Sequence, residues 1–324
     1  MKYMNRILSF ALVLVMLVSC FGTAFAAETH EHEETKPATR AANIDDNELI
    51  VADWLWGSVM EERGAATIMK EYAETGFTDI YLLVKGTGGT TSWNTSVGYK
   101  NSYSYDLLQT ALDAARPYGI RIHAWMMAAR DDLYMENNPG DNYYHFRVGT
   151  SNSVNQYVNL RNADYQKYFT DLVKELCAKY PDLAGIHLDT IRYGGLYYDW
   201  GAETRELLIS KYGITKAEYN AATIAMCSGQ GYSYSYNSDG YVVYSSSGTT
   251  ASGTTFASAL TGSGSTDLQN GAKKFKQMRV DTVNDFVKMV TDAAEAALFP
   301  QLSCPNPQPT MFMKSAFTVR ITLP

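Results

Sequence analysis

From Glu48 to Tyr193 the chain repeats one unit, a short apolar run of strand length followed by an amphipathic run of helical period. This alternation restricts the fold more than any other feature. ELIVADWLWG (48–57), FTDIYLLVKG (77–86), IRIHAWMMAAR (120–130) and AGIHLDTIRY (184–193) read as strands. EERGAATIMKEYAETG (61–76), SYDLLQTALDAARPYG (104–119) and NADYQKYFTDLVKELCAKY (162–180) read as the helices between them, the first closed by Gly76. In the third helix Tyr165, Phe169, Leu172, Val173, Leu176 and Tyr180 recur at spacings of three and four, giving one core-facing stripe. Strands joined by helical crossovers run parallel, so the chain is expected to be an α/β protein with a parallel sheet. On this pattern alone the sheet either closes into a barrel or stays open and doubly wound. No glycine fingerprint follows the first strand, and KGTGGTT (85–91) lacks phosphate-loop spacing, which weighs against a dinucleotide-binding protein.

The 324 residues fit one large domain with insertions. A net charge of -7 with no long basic run argues against a nucleic-acid partner. At the amino end, Lys2 and Arg6 precede an apolar run from Ile7 to Val18 and then Ala24-Phe25-Ala26, the pattern of a secretory signal over residues 1–26. The expected location is secreted or cell-surface. The alternative is lipoprotein cleavage before Cys20, through Leu17-Val18-Ser19-Cys20. No other stretch is apolar and long enough to span a bilayer. Residues 27–46 read as a disordered leader, in which His30 and His32 sit among acids on a solvated tail. Cys177, Cys227 and Cys304 form neither a disulfide framework nor a zinc pattern, and Cys177 reads as a small core residue. No metal or cofactor is expected, and oligomeric state is left open.

Past the fourth strand the spacing breaks. Residues 228–271 are an insertion rich in Ser, Gly, Tyr and Thr, in which DGYVVYSS suggests a short hairpin between mobile flanks. Residues 272–298 return to a long amphipathic helix. From 301 to 324 periodicity is lost, with four prolines between Pro300 and Pro309. A fifth strand is expected near Gln301–Cys304, and codons in another frame permit an alternative continuation. The expectation is a frameshifted or truncated product of little or no activity.

Along the fourth strand Gly185, His187 and Asp189 share one face, and Asp189 ends it. Parallel α/β folds collect their chemistry at that end, so Asp189 is the candidate catalytic carboxyl, with a helix cap or a salt bridge to Arg192 as the structural alternative. Arg192 and Tyr193 are candidates to orient it or to bind hydroxyls.

YLLVKG, IRIHAWMM, VNLRNADYQKYFTDLVKEL running into AGIHLDTIRY, and FKQMRVDTVNDFVKMV together resemble the glycosyl-hydrolase-like proteins of family ten, over about residues 48–300. The His-Ala-Trp and Gly-Ile-His-Leu-Asp stretches are its specific parts. Val84-Lys85-Gly86 and Tyr193-Gly194 depart from the family's Val-Arg-Pro and Tyr-Pro. The resemblance implies a (β/α)8 TIM-barrel fold, of which only the first four to five strands are present, in a partial domain over 47–300. It also implies a glycan substrate cleaved by paired carboxyls. In such a barrel Lys85 and His123 are expected to point inward and share Asp189 as polar partner. Trp125 is expected to stack on a pyranose or to serve as core, and His187 to be a hydrogen-bonded core histidine. Asp53 and Glu61 are the candidates for the second carboxyl. The functional expectation is a secreted glycoside hydrolase of a polysaccharide or cell-wall glycan. Its alternative is a non-catalytic surface carbohydrate-binding protein. An amide or ester hydrolase ranks last, because no Gly-x-Ser-x-Gly elbow occurs.

Overall fold

The computed structural model describes residues 49–151 and 157–298 and the backbone of 318–321. Strand β1 (Ala52–Leu55) leads into helices α1 (Gly57–Arg63) and α2 (Ala65–Glu74). The sequence suggested one helix here. Gly64, at φ 81°, adopts a backbone that no helix accommodates and splits it in two. Strand β2 (Asp79–Lys85) follows, then the two-residue strands β3 (Thr90–Thr91) and β4 (Tyr99–Lys100), and helix α3 (Leu107–Ala115) capped by the Asp106 carboxylate. After β5 (Arg121–Met127) come the short α4 (Asp132–Asn137), α5 (Ala163–Lys179) capped by Asn162, and β6 (Gly185–Asp189).

Beyond β6 lie α6 (Ala202–Tyr212), α7 (Lys216–Gln230), β7 (Ser233–Tyr236), β8 (Val242–Tyr244), β9 (Thr249–Thr250), α8 (Phe256–Leu260) and α9 (Thr266–Leu298). The stretch 228–271 therefore holds an antiparallel sheet ordered β8-β7-β9 where the sequence suggested a lone hairpin with mobile flanks. Aromatic residues give it a core: Trp200, Tyr219, Phe256 and Phe275 pack into one buried cluster beneath α7 and α9. A last strand, β10 (Thr318–Ile321), lies in the tail that the sequence left without structure, while residues 301–304, where a fifth strand was expected, lie outside the described residues. The short β-branched run Thr-Val-Arg-Ile suits it to an edge.

The parallel strands β1, β2, β5, β6 and β10 lie side by side in chain order, with no reversal of direction along the sheet. A doubly wound sheet reverses at a switch point, so this order winds one way, as barrel strands do. Among the described residues the sheet is open and closes no eightfold barrel. It is nevertheless strongly curved. Trp54 on β1 and His187 on β6 are three strand positions apart, roughly 14 Å on a flat sheet, yet their rings approach to 6.1 Å. Ile80, Leu82, Val84, Ile122, Ala124, Met126, Ile186 and Leu188 point outward into the main core, against Leu108, Phe169, Val173 and Phe286 of the helices. The concave face carries Tyr81, His123, Trp125, His187 and Asp189. Cys177 and Cys227 are buried and free, and burial pushes both thiols up to about 12. No helix of the described residues is long and apolar enough to cross a membrane.

Candidate functional site

Asp189 is the last residue of β6 and is half-buried at the carboxyl end of the concave face. Its Oδ2 accepts the indole N–H of Trp125 at 3.0 Å, and its Oδ1 accepts the backbone N–H of Thr190. Both oxygens are thereby aimed. Thr190 has φ 52°, the left-handed region where a β-branched side chain is strained. The ladder to β5 holds it there: Ala128 N donates to Asp189 O at 2.8 Å and Ala129 N to Thr190 O at 3.1 Å. Its hydroxyl reaches Met127 Sδ at 3.0 Å. Strain of this kind costs about 1–3 kcal/mol and concentrates where a side chain must be presented in one direction. Because Asn tolerates this region, Thr190→Asn should raise unfolding free energy by about 0.5–1 kcal/mol in urea titrations. A loss of stability would show that the threonine is not strained.

Aromatic rings line the concave face leading up to the carboxylate. Trp125 is buried, and Trp56, just past β1, meets it edge-on at 5.2 Å while remaining 51% exposed. Trp54 stacks on Tyr81 at 5.3 Å and is 47% exposed. Sequence reasoning passed over both residues, although the i, i+2 spacing in WLW puts them on one side of an extended backbone.

The other expected partners are placed elsewhere. The register slips between Leu83 and Lys85, setting Leu83 opposite Trp125 and Lys85 opposite Met126. This bulge turns Lys85 from the concave face to the helix side. There it is fully buried, pairs with Asp131 at 2.8 Å, and donates to Met127 O at 3.2 Å. His123 does stay on the concave face, but its Nε2 lies 2.7 Å from Asp79 Oδ1, at the opposite end of the strands from Asp189. Asp79 also accepts two bonds from Arg121, at 2.9 and 2.6 Å. Diagonal neighbours on adjacent strands are within reach, and the acid at the head of DIYLLVK was the available signal.

Arg192 is exposed, and none of the ion pairs among the described residues joins it to Asp189. Tyr193 turns into the helix layer, stacked on Tyr143 at 4.6 Å with the Arg279 guanidinium 4.8 Å from its ring. Burial pushes its phenol well up. Asp53 sits opposite Ile80 on the outward face and accepts the Tyr72 hydroxyl at 2.8 Å, because alternation along β1 assigns the concave side to Trp54. Glu61 is exposed on α1. Trp125, a candidate sugar platform, is instead a buried donor to Asp189. His187 is buried against Tyr81, as a core histidine would be.

Two acids anchor this scaffold. Burial would raise the Asp79 pKa, but hydrogen bonds from His123, Arg121 and Thr78 outweigh it and hold the carboxyl well below its usual range. Glu175 is likewise opposed by burial yet lowered to about 2, by bonds from Ser96 and Thr95 that tie the β3–β4 loop to α5. A depressed folded pKa stabilises above the unfolded value, and that contribution disappears as pH falls towards the folded one. Thermal stability should therefore decline between about pH 4.5 and 2. Glu175→Gln should lower Tm near neutral pH and flatten this decline; an unchanged slope would remove Glu175 from it.

Among the described residues no group of three or more His, Cys, Asp or Glu is arranged to hold a metal ion. A polar pocket of about 180 Å³ lies between the loops after β5 and β6, lined by Asp141, Asn142, Asn159, Asp199 and Glu203 among others, and excludes Asp189.

Fold and site together define an α/β protein with a curved, one-way-wound parallel sheet and an aimed carboxylate at its strand ends. No family model matches the chain, and no curated protein does. Neither comparison supports the family-ten resemblance. Among solved structures the chain is similar to α-L-fucosidase isoenzyme 2 from Paenibacillus thiaminolyticus, at 12% identity and TM-score 0.47, over 80% of this chain and 29% of the fucosidase. It is also similar to a β-galactosidase from Bacillus circulans sp. alkalophilus, at 16% identity and TM-score 0.48, over 78% of this chain and 35% of that one. A hypothetical protein from Ruminiclostridium thermocellum aligns at 15% identity and TM-score 0.39, over 50% of this chain and 92% of its own. The chain thus spans about a third or less of the two glycosidases' lengths.

Proposed function

We propose that this chain belongs to a secreted glycoside hydrolase of (β/α)8 type, acting on a polysaccharide or cell-wall glycan, with Asp189 as one reacting carboxyl. One observation carries the reading: a carboxylate ending a parallel strand, aimed by the Trp125 N–H and by the strained Thr190, on a concave face bordered by half-exposed indoles. Such a group can protonate a glycosidic oxygen or attack an anomeric carbon, depending on where the second carboxyl lies. Concave aromatic surfaces with a few aimed polar groups are where small ligands bind.

A non-catalytic glycan-binding protein is the second reading. The placement of Asp53 on the outward face and of Glu61 on α1 favours it, since neither supplies a second acid beside Asp189. Reducing-sugar release by the purified chain over a panel of plant and bacterial cell-wall glycans separates the two. Release supports hydrolysis; binding without release favours the second reading.

A further inference from the structure

We infer that Trp54 and Trp56, not Trp125, form the sugar-stacking platform of this site, and that the platform takes two successive units of a β-linked pyranose chain. The inference rests on the glycan reading above and names its recognition surface. Trp125 cannot stack on a ligand: its ring is buried and its N–H is committed to Asp189. Trp54 and Trp56 are the concave-face indoles with open area, 47% and 51% exposed. Each is supported from behind, Trp54 by the Tyr81 ring in a 27° stack and Trp56 by Trp125 at 72°. The rings are therefore held in place before a ligand arrives, which limits the entropy lost on binding.

Trp56, the extended residue just past β1, follows Trp54 by two positions, which sets their backbones about 7 Å apart, the scale of a pyranose ring. Trp56 touches Trp125, which in turn touches Asp189, so a chain laid on the two indoles runs towards the carboxylate. The chemistry selects the occupant. Flat indole faces match the C–H face of a β-pyranoside, and Asp189 matches its hydroxyls. A protein partner would call for aliphatic side chains around the rings, and the remaining residues of this cluster, Tyr81, Trp125, Met127, Ala52 and Leu83, are buried or half-buried beneath them.

Calorimetric titration with cellohexaose, xylohexaose and chitohexaose, with glucose as the monomer control, tests this. At least one hexasaccharide should bind wild type more tightly than glucose. Trp54→Ala and Trp56→Ala should each weaken that binding about tenfold, while Trp54→Phe and Trp56→Phe retain most of it. Circular dichroism of each variant checks the fold, and the phenylalanine variants decide the matter if an alanine variant unfolds. Absence of hexasaccharide binding by wild type, or affinities unchanged within twofold in the folded variants, would overturn the platform. Tryptophan-dependent binding without reducing-sugar release would leave the platform standing and remove hydrolysis. Release with no dependence on Trp54 or Trp56 would do the reverse.

Discussion

In an active full-length protein that carries this site, Asp189→Asn should abolish most glycan hydrolysis, lowering the rate by about 10²–10⁴, while far-UV circular dichroism and Tm stay close to wild type. The geometry supports both halves of this expectation. The asparagine amide keeps an oxygen for the Trp125 indole N–H, so the contact that aims the side chain survives. What is lost is the carboxylate itself, and with it the ability to donate or accept the proton or to attack the anomeric carbon. Trp125→Phe should act differently. It keeps the ring against Trp56 but removes the donor, so the carboxylate remains chemically competent but is no longer held. A fall in kcat with little change in KM is expected there, and hydrolysis unaffected by either substitution would remove this end of β6 from the mechanism.

The second large effect concerns stability. Lys85→Met should destabilise the fold by about 3–5 kcal/mol, because Asp131 is left fully buried without its counter-ion. Asp131 cannot simply turn to solvent, since its Oδ1 caps α4 by accepting the Tyr134 N–H at 3.0 Å. Adding Asp131→Asn to Lys85→Met should recover most of the loss, because asparagine keeps the cap and needs no partner charge. Urea denaturation of the two single variants and the double variant measures this. If Lys85→Met costs under about 1 kcal/mol, the pair does not lock the ends of β2 and β5 together.

The four strands β1, β2, β5 and β6 and the helix stripe of α5 were legible in the sequence because apolar periodicity records which face of each element is buried. Asp189 was legible for the same reason: alternation along GIHLD placed it at the polar end of one face. The bulge before Lys85 was not, since nothing in LLVKG marks a slipped register, and one slipped residue moves a side chain to the other face. Pairing choices were also hidden. His123 had two acids within plausible reach, and only the diagonal contact between neighbouring strands selects Asp79. The sheet in 228–271 escaped notice because Ser, Gly and Thr mask its alternation, although Tyr234 and Tyr236 retain it. Strain at Thr190 belongs to backbone geometry that no residue pattern encodes.

The most direct test of the central claim is a crystal structure of the Asp189→Asn protein soaked with a hexasaccharide that binds it. The expected result is a sugar chain lying across Trp54 and Trp56, with a glycosidic oxygen or anomeric carbon within hydrogen-bond reach of residue 189. Density instead in the polar pocket beside Asp141 and Glu203, with the concave face empty, would contradict the assignment of the site.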